Sequence, residues 1–250
     1  MRIPTVGAHP KPTEEVRVHR TVMAGVLTAA AAAAAVAVAA APAPAADGGF
    51  TARVTNPYYP LLPGMRWEYR GMENGRSLRD VVRVSRRTEH VDGVPCAVVI
   101  DRVFLDGRLA ESTVDWFSQD GTGTVWYYGE ATREVDRRGR VTSTEGSWRA
   151  GTNGARPGVF MPAHPHVGQS FAQEHYPGHA EDRFKVVSRT ATIGVPFGTF
   201  HAGALMTEEW TPLEPGVRDA KWYVKGIGQV KEATVKGGDE RAELVSFRRR

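Results

Sequence analysis

The chain has 250 residues, of which 41% are hydrophobic and 24% charged, so an extended disordered chain is excluded and one all-β domain or two small domains fit the length. Its net charge is +4, and the first 45 residues carry half of that excess, through Arg2, Lys11, Arg17 and Arg20 against Glu14 and Glu15. The near-balanced remainder has no basic footprint for nucleic acid, and a single cysteine excludes an internal disulfide framework.

The first predicted element is a leader. Arg17 and Arg20 precede an alanine-dominated apolar run from about Val22 to Ala41, and Ala43-Pro44-Ala45 follows as an A-x-A pattern. This order of basic, apolar and small residues predicts a secretory signal peptide over residues 1–45, cleaved after Ala45 or Ala46. A retained anchor is the rival reading, but alanine inserts into membranes poorly compared with Leu or Ile. The expectation is an exported chain with no stable membrane span after cleavage. Residues 46–250 then form one all-β domain.

That domain reads as strands and turns. Strand-like runs occupy 65–70, 78–85, 95–105, 109–119 and 124–130, then 183–193, 200–210, 220–226, 228–235 and 240–247. Valine, threonine and aromatic residues dominate them, as pleated half-buried surfaces favour. Asn74-Gly75, Asp92-Gly93, Asp106-Gly107, Asp120-Gly121, Arg138-Gly139 and Gly237-Gly238 supply the positive-φ residues of tight hairpins. No run at helical spacing appears beyond the leader. The predicted fold is therefore a strongly curved antiparallel sheet or incomplete β-barrel. Residues 146–170 hold five glycines and three prolines between strand runs and are predicted to form a long loop over one opening.

Cys96, in GVPCAVVID, has apolar neighbours and is predicted to be a buried, inert thiol. The stretch DWFSQDGTGTVWYYGE, 115–130, concentrates the candidate site. An even-length turn at Asp120 would place Glu111, Asp115 and Phe117 on one face with Trp126, Tyr128 and Glu130. Val114, Trp116, Val125 and Tyr127 would take the other face. The first face mixes rings with carboxylates, as binding concavities do. With Trp148 from the long loop, Asp115, Phe117, Trp126, Tyr128 and Glu130 are the predicted ligand-binding residues, and a small amphipathic or apolar ligand is the predicted partner. A structural reading competes: buried acids there would serve as acceptors for Tyr and Trp donors. The enzymatic alternative is a hydrolase of envelope glycans or esters, with Asp115, Glu130 or Glu174 in acid/base roles.

His164, His166, His175 and His179 cluster in sequence, yet Pro177-Gly178 interrupts them and their spacing matches no ligand signature, so neither metal nor cofactor is expected. Glu208 and Glu209 point to opposite faces of a strand, and Lys221 or Lys225 can pair with one of them. A cross-strand ion pair on the solvent face is the expected arrangement.

The stretches NPYYPLLPGMRWEYRG (56–71), DWFSQDGTGTVWYYGE (115–130), GSWRAGTNGARPGVFMPAHPHVG (146–168) and EEWTPLEPGVRDAKWYVKGIGQVKE (208–232) resemble a group of bacterial exported proteins and lipoproteins. The resemblance covers nearly all of the chain beyond the leader. It implies export and a curved-sheet fold; it implies no reaction. The lipobox cysteine of the group's lipoproteins is missing here.

Overall fold

The structure is a computed structural model that describes residues 49–249; the leader lies outside the described residues. Every regular element among them is a strand. In chain order these are β1 (Arg66–Glu73), β2 (Arg76–Val91), β3 (Val94–Leu105), β4 (Arg108–Gln119), β5 (Val125–Val135), β6 (Val141–Ser143), β7 (Trp148–Arg149) and β8 (Arg156–Met161). There follow β9 (Ser170–Ala172), β10 (Glu174–His175), β11 (Arg183–Val195), β12 (Gly198–Trp210), β13 (Arg218–Val224), β14 (Gly228–Lys236) and β15 (Arg241–Arg248). No helix among the described residues is long and apolar enough to cross a membrane.

All fifteen strands belong to one antiparallel sheet that is not closed by a continuous ladder. Its order is β10-β8-β5-β4-β3-β2-β1-β15-β14-β13-β12-β11-β9, with β6 and β7 also on β5. Two meanders, β1–β5 and β11–β15, thus meet through β1 and β15. The first three hairpins turn on Asn74-Gly75, Asp92-Gly93 and Asp106-Gly107, all six residues at positive φ, as type I′ turns require.

The two ends of the sheet meet in sequence. β9 pairs with β11, β10 pairs with β8, and Gln173 alone separates β9 from β10. One bent segment therefore touches both edges and brings the sheet close to a barrel. Gly158 permits the contact: a Cβ there would stand 2.2 Å from the Gln173 carbonyl oxygen.

The 146–170 segment takes a different form from the loop expected. Backbone donors and acceptors in a long buried connection need partners, and here the edge of β5 supplies them. Trp148–Arg149 and Arg156–Met161 pair with β5 and extend the sheet.

The interior is instead occupied by residues 54–65, a plug that runs ahead of β1. Val54 and Leu61 bridge its two limbs, and both are buried. Asn56 donates to the carbonyls of Gly123 and Pro162, at 2.9 and 3.2 Å. On the opposite side the Gly226 N–H donates to the Pro57 carbonyl at 2.7 Å. Tied to both walls, the plug places the Tyr59 ring between them: 5.4 Å from Phe117, 4.4 Å from Phe160 and 6.4 Å from Tyr223.

Candidate functional site

The inner face is read off by alternation. In β4 it carries Glu111, Thr113, Asp115 and Phe117. Asp115 stands opposite Glu130 in β5, in agreement with the expected sharing of a face. Nearer the turn the pattern differs. The β4–β5 loop, 120–124, has an odd number of residues, so Phe117 pairs with Tyr127 and Gln119 with Val125. A bulge at Tyr128, between Tyr127 and Gly129, then restores the parity. Gly129 follows it at φ +127°, where a Cβ would stand 2.4 Å from the Trp148 carbonyl oxygen.

Consequently Tyr127, not Tyr128, accompanies Phe117 inside; their rings stack at 4.8 Å. Trp126 and Tyr128 take the opposite face. The Trp126 indole donates to Asp120 at the hairpin turn (2.8 Å), and Tyr128 meets Phe50 edge-on at 6.0 Å. Trp148 is buried within the fold, edge-on to Tyr127 at 5.3 Å, and donates to Glu174 Oε1 at 3.1 Å.

Three carboxyl groups therefore collect beside Tyr127 and Trp148. Tyr127 Oη donates to Asp115 Oδ1 at 3.1 Å, and Thr132 donates to Glu130 Oε2 at 2.9 Å. Glu130 Oε1 has no hydrogen-bond partner, although the residue is only 1% exposed. Burial holds the Glu130 carboxyl well above the ordinary carboxyl range, and Glu174 and Asp115 push it further. Glu174 is raised in the same way, by burial first and then by Asp182, whose own carboxyl burial pushes up to about 7. Proton retention is how a fold carries neighbouring buried acids without paying for several bare charges.

The facing wall handles its charges by pairing. Lys221, 1% exposed, lies 2.6 Å from Glu209 and 3.6 Å from Glu232. The expected ion pair exists but is buried, because Glu209 and Lys221 share the inner face with Thr207 and Asp219. Glu208 points outward, where Arg218 approaches it at 3.9 Å. Lys225 lies over the Tyr58 ring at 5.4 Å.

A small open cavity, with about 40 Å³ of room for the centres of water-sized molecules, lies between the plug and the sheet. Tyr59, Pro60 and Leu61 bound it on one side, and Gly228 and Gln229 bound it at the start of β14. Its other wall is one patch of ladder. Trp67, Val82 and Asp101 are successive partners across β1, β2 and β3, as are Tyr69 and Asp80 across β1 and β2; Val99 pairs with Asp115 across β3 and β4. Of the six predicted ligand residues, Asp115 lines this cavity. Phe117 lies beside Tyr59 in the adjoining aromatic cluster, and Glu130 and Trp148 lie beyond Asp115.

Trp67 and Tyr69 also close a seam. β14 and β15 pair only at Lys231–Glu243, Glu232–Ala242 and Ala233–Arg241. Beyond that point Trp67 Nε1 donates to the Ile227 carbonyl at 2.7 Å and Tyr69 Oη to the Gln229 carbonyl at 2.9 Å.

The histidines do not converge. His175 lies on β10, its pKa lowered by burial and by Arg156 and Arg183, and His179 stacks on Tyr176 at 4.3 Å. His164 and His166 are exposed. Among the described residues, no set of three or more His, Cys, Asp or Glu side chains is arranged to hold a metal ion.

No protein-family model matches the chain, and no curated protein does. Among solved structures, a protein of Parabacteroides distasonis provisionally assigned as a lipoprotein is similar over 76% of this chain and 98% of its own, at 10% identity and a TM-score of 0.40. That likeness is remote, and nothing about function passes along it.

Proposed function

We propose that this is an exported, non-catalytic binding protein of the cell envelope or exterior, which holds a small amphipathic ligand in the cavity beneath the plug. The basic-apolar-small leader and the resemblance to exported proteins and lipoproteins support the location. The observation that carries the role is the cavity wall: Trp67, Tyr69, Tyr59 and Leu61 beside Asp80, Asp101 and Asp115. Apolar walls with a few placed polar groups are what small-molecule sites need.

A hydrolase is the second reading. In its favour burial raises the pKa of Glu130, as suits a general acid, and Asp115 is its register partner. Against it, Asp115 lines the cavity whereas Glu130 and Glu174 do not, and acid catalysis needs contact with the reacting bond.

Native mass spectrometry after gentle purification, with titration by the neutral fluorophore N-phenyl-1-naphthylamine, tests the binding role. The expected result is a bound species or a fluorescence rise that Trp67→Ala diminishes. A ligand-free mass together with no rise would overturn the reading.

A further inference from the structure

We propose that a second pocket, at the start of the plug, binds the phosphate group of a small organic phosphate monoester. It does not depend on the binding reading above, since plug residues 59–61 bound the cavity whereas residues 55–58 line this pocket. The pocket has about 260 Å³ of room for the centres of water-sized molecules, against about 40 Å³ in the cavity.

Its walls are fixed by hydrogen bonds among the segments that form it. Gln119 Oε1 accepts the N–H groups of Thr55 and Asn56 at 2.7 and 2.8 Å, and Asn56 Nδ2 donates to the Gly123 and Pro162 carbonyls. The Gly226 N–H holds the Pro57 carbonyl beside Lys225. A site prepared in this way loses little freedom when a ligand enters.

Arg189 reaches the pocket through a bulge. Phe184 and Val186 of β11 are buried opposite Glu209 and Thr207, so alternation would next turn residue 188 inward. Val187 is an extra residue: Val186 pairs with Thr207 and Ser188 with Met206. The parity reverses, and Arg189 takes the inward side and lines the pocket.

The charge is one-sided. Arg189 and Lys225 both line the pocket, His164 adds a ring N–H, and no Asp or Glu is in the lining. Neither Arg189 nor Lys225 forms an ion pair among the described residues. The neighbouring Asp120 carboxylate is taken up by its own turn, by Thr122, Thr124 and Trp126. Two fixed cations match the charge of a phosphate monoester, about −1.5 to −2 at neutral pH, whereas a carboxylate would leave one uncompensated. Pro57, Pro165 and Tyr58 offer apolar surface to the organic part.

Calorimetry on the full chain at low salt, with phenyl phosphate, benzoate, phenol and inorganic phosphate, tests this. Phenyl phosphate is expected to bind tightest, at least about tenfold above phenol, with benzoate and inorganic phosphate between them. Arg189→Gln and Lys225→Gln should each weaken it about tenfold, and both side chains are exposed, so folding is not at stake. Lys185→Gln removes an exposed charge from the same strand outside the pocket and should change nothing. No binding of phenyl phosphate, or phenol or benzoate binding as tightly, would overturn the phosphate assignment. Inorganic phosphate binding as tightly would overturn the ester. Undiminished binding to Arg189→Gln, or an equal loss in Lys185→Gln, would overturn the site.

Discussion

Asp115 and Glu130 are register partners across β4 and β5, and both carboxyl groups are almost fully buried. Asp115 accepts the Tyr127 hydroxyl and lines the cavity; Glu130 accepts from Thr132 and does not line it. Burial makes an ionised Glu130 costly, so it binds its proton more tightly in the fold than in the unfolded chain.

A pH dependence follows from that difference. Between the unfolded value of 4.5 and the raised folded value, the folded state holds a proton that the unfolded state has released. Stability from this group therefore falls as pH rises through that window and is highest below it. Glu130→Gln keeps an acceptor for Thr132 and removes the penalty. Its melting temperature should exceed that of the unaltered chain at pH 7.5 by roughly 2–4 °C per kcal/mol recovered, with no gain at pH 4. Differential scanning calorimetry across that range checks it. An equal shift at both pH values would mean that Glu130 ionisation is not the cause.

Gly158 tests the near-closure of the sheet. Its φ is ordinary, so alanine imposes no backbone strain; the obstacle is the Gln173 carbonyl oxygen, 2.2 Å from the new Cβ. Gly158→Ala must push β8 away from the β9–β10 bend. A loss of about 1–3 kcal/mol is expected in chemical denaturation, from overpacking alone. Hydrogen exchange should quicken at Gln173, whose N–H donates to the Asp182 carbonyl at 2.7 Å. A loss without faster exchange there would place the damage elsewhere.

The meander was legible because its cues are local. Asn-Gly and Asp-Gly turns set three hairpins, and alternating apolar residues set their inner faces. The site was only half legible. Asp115 stands out through its aromatic neighbours, but the faces of Trp126 and Tyr128 cannot be read from the sequence, because an odd loop and a bulge at Tyr128 each change the parity. Two further cues lie in the sequence. Asp80 interrupts the apolar alternation Leu78, Val82, Val84, and Asp101 interrupts Val99, Val103, Leu105, so each acid had to face inward. Trp67 and Tyr69 show the same two-residue spacing in β1. The plug leaves no such trace, since nothing periodic in residues 54–65 says that Tyr59 enters the interior of the sheet.

Cys96 offers a probe of the β2–β3 region. It is free and fully buried, and burial pushes its thiol up to about 12, against a small opposing pull from the backbone at Val91. Thiolate is the reactive form, so it should be nearly absent at pH 8. The native chain should show no reaction with a disulfide reagent over minutes and a full equivalent in denaturant. Rapid reaction of the native chain would mean that this part of the sheet opens.

The buried pair of the facing wall carries the largest expected effect. Lys221 sits in β13 between Glu209 of β12 and Glu232 of β14, and the Tyr223 and Thr207 hydroxyls also reach Glu209. Lys221→Met removes the ammonium but leaves two carboxyls in a dry interior. Breaking one side of such a group costs about 3–5 kcal/mol, because an uncompensated charge stays buried. Adding Glu209→Gln removes half of that residual charge and keeps an acceptor for the two hydroxyls. The double variant should recover part of the loss at pH 7.5, in urea denaturation followed by tryptophan fluorescence. Lowering the pH should narrow the gap between Lys221→Met and the double variant, since protons then neutralise the carboxyl that the lysine had balanced. A single variant as stable as the unaltered chain at neutral pH would show that Glu209 and Glu232 are satisfied without Lys221, and the charge-pairing account of this wall would fail.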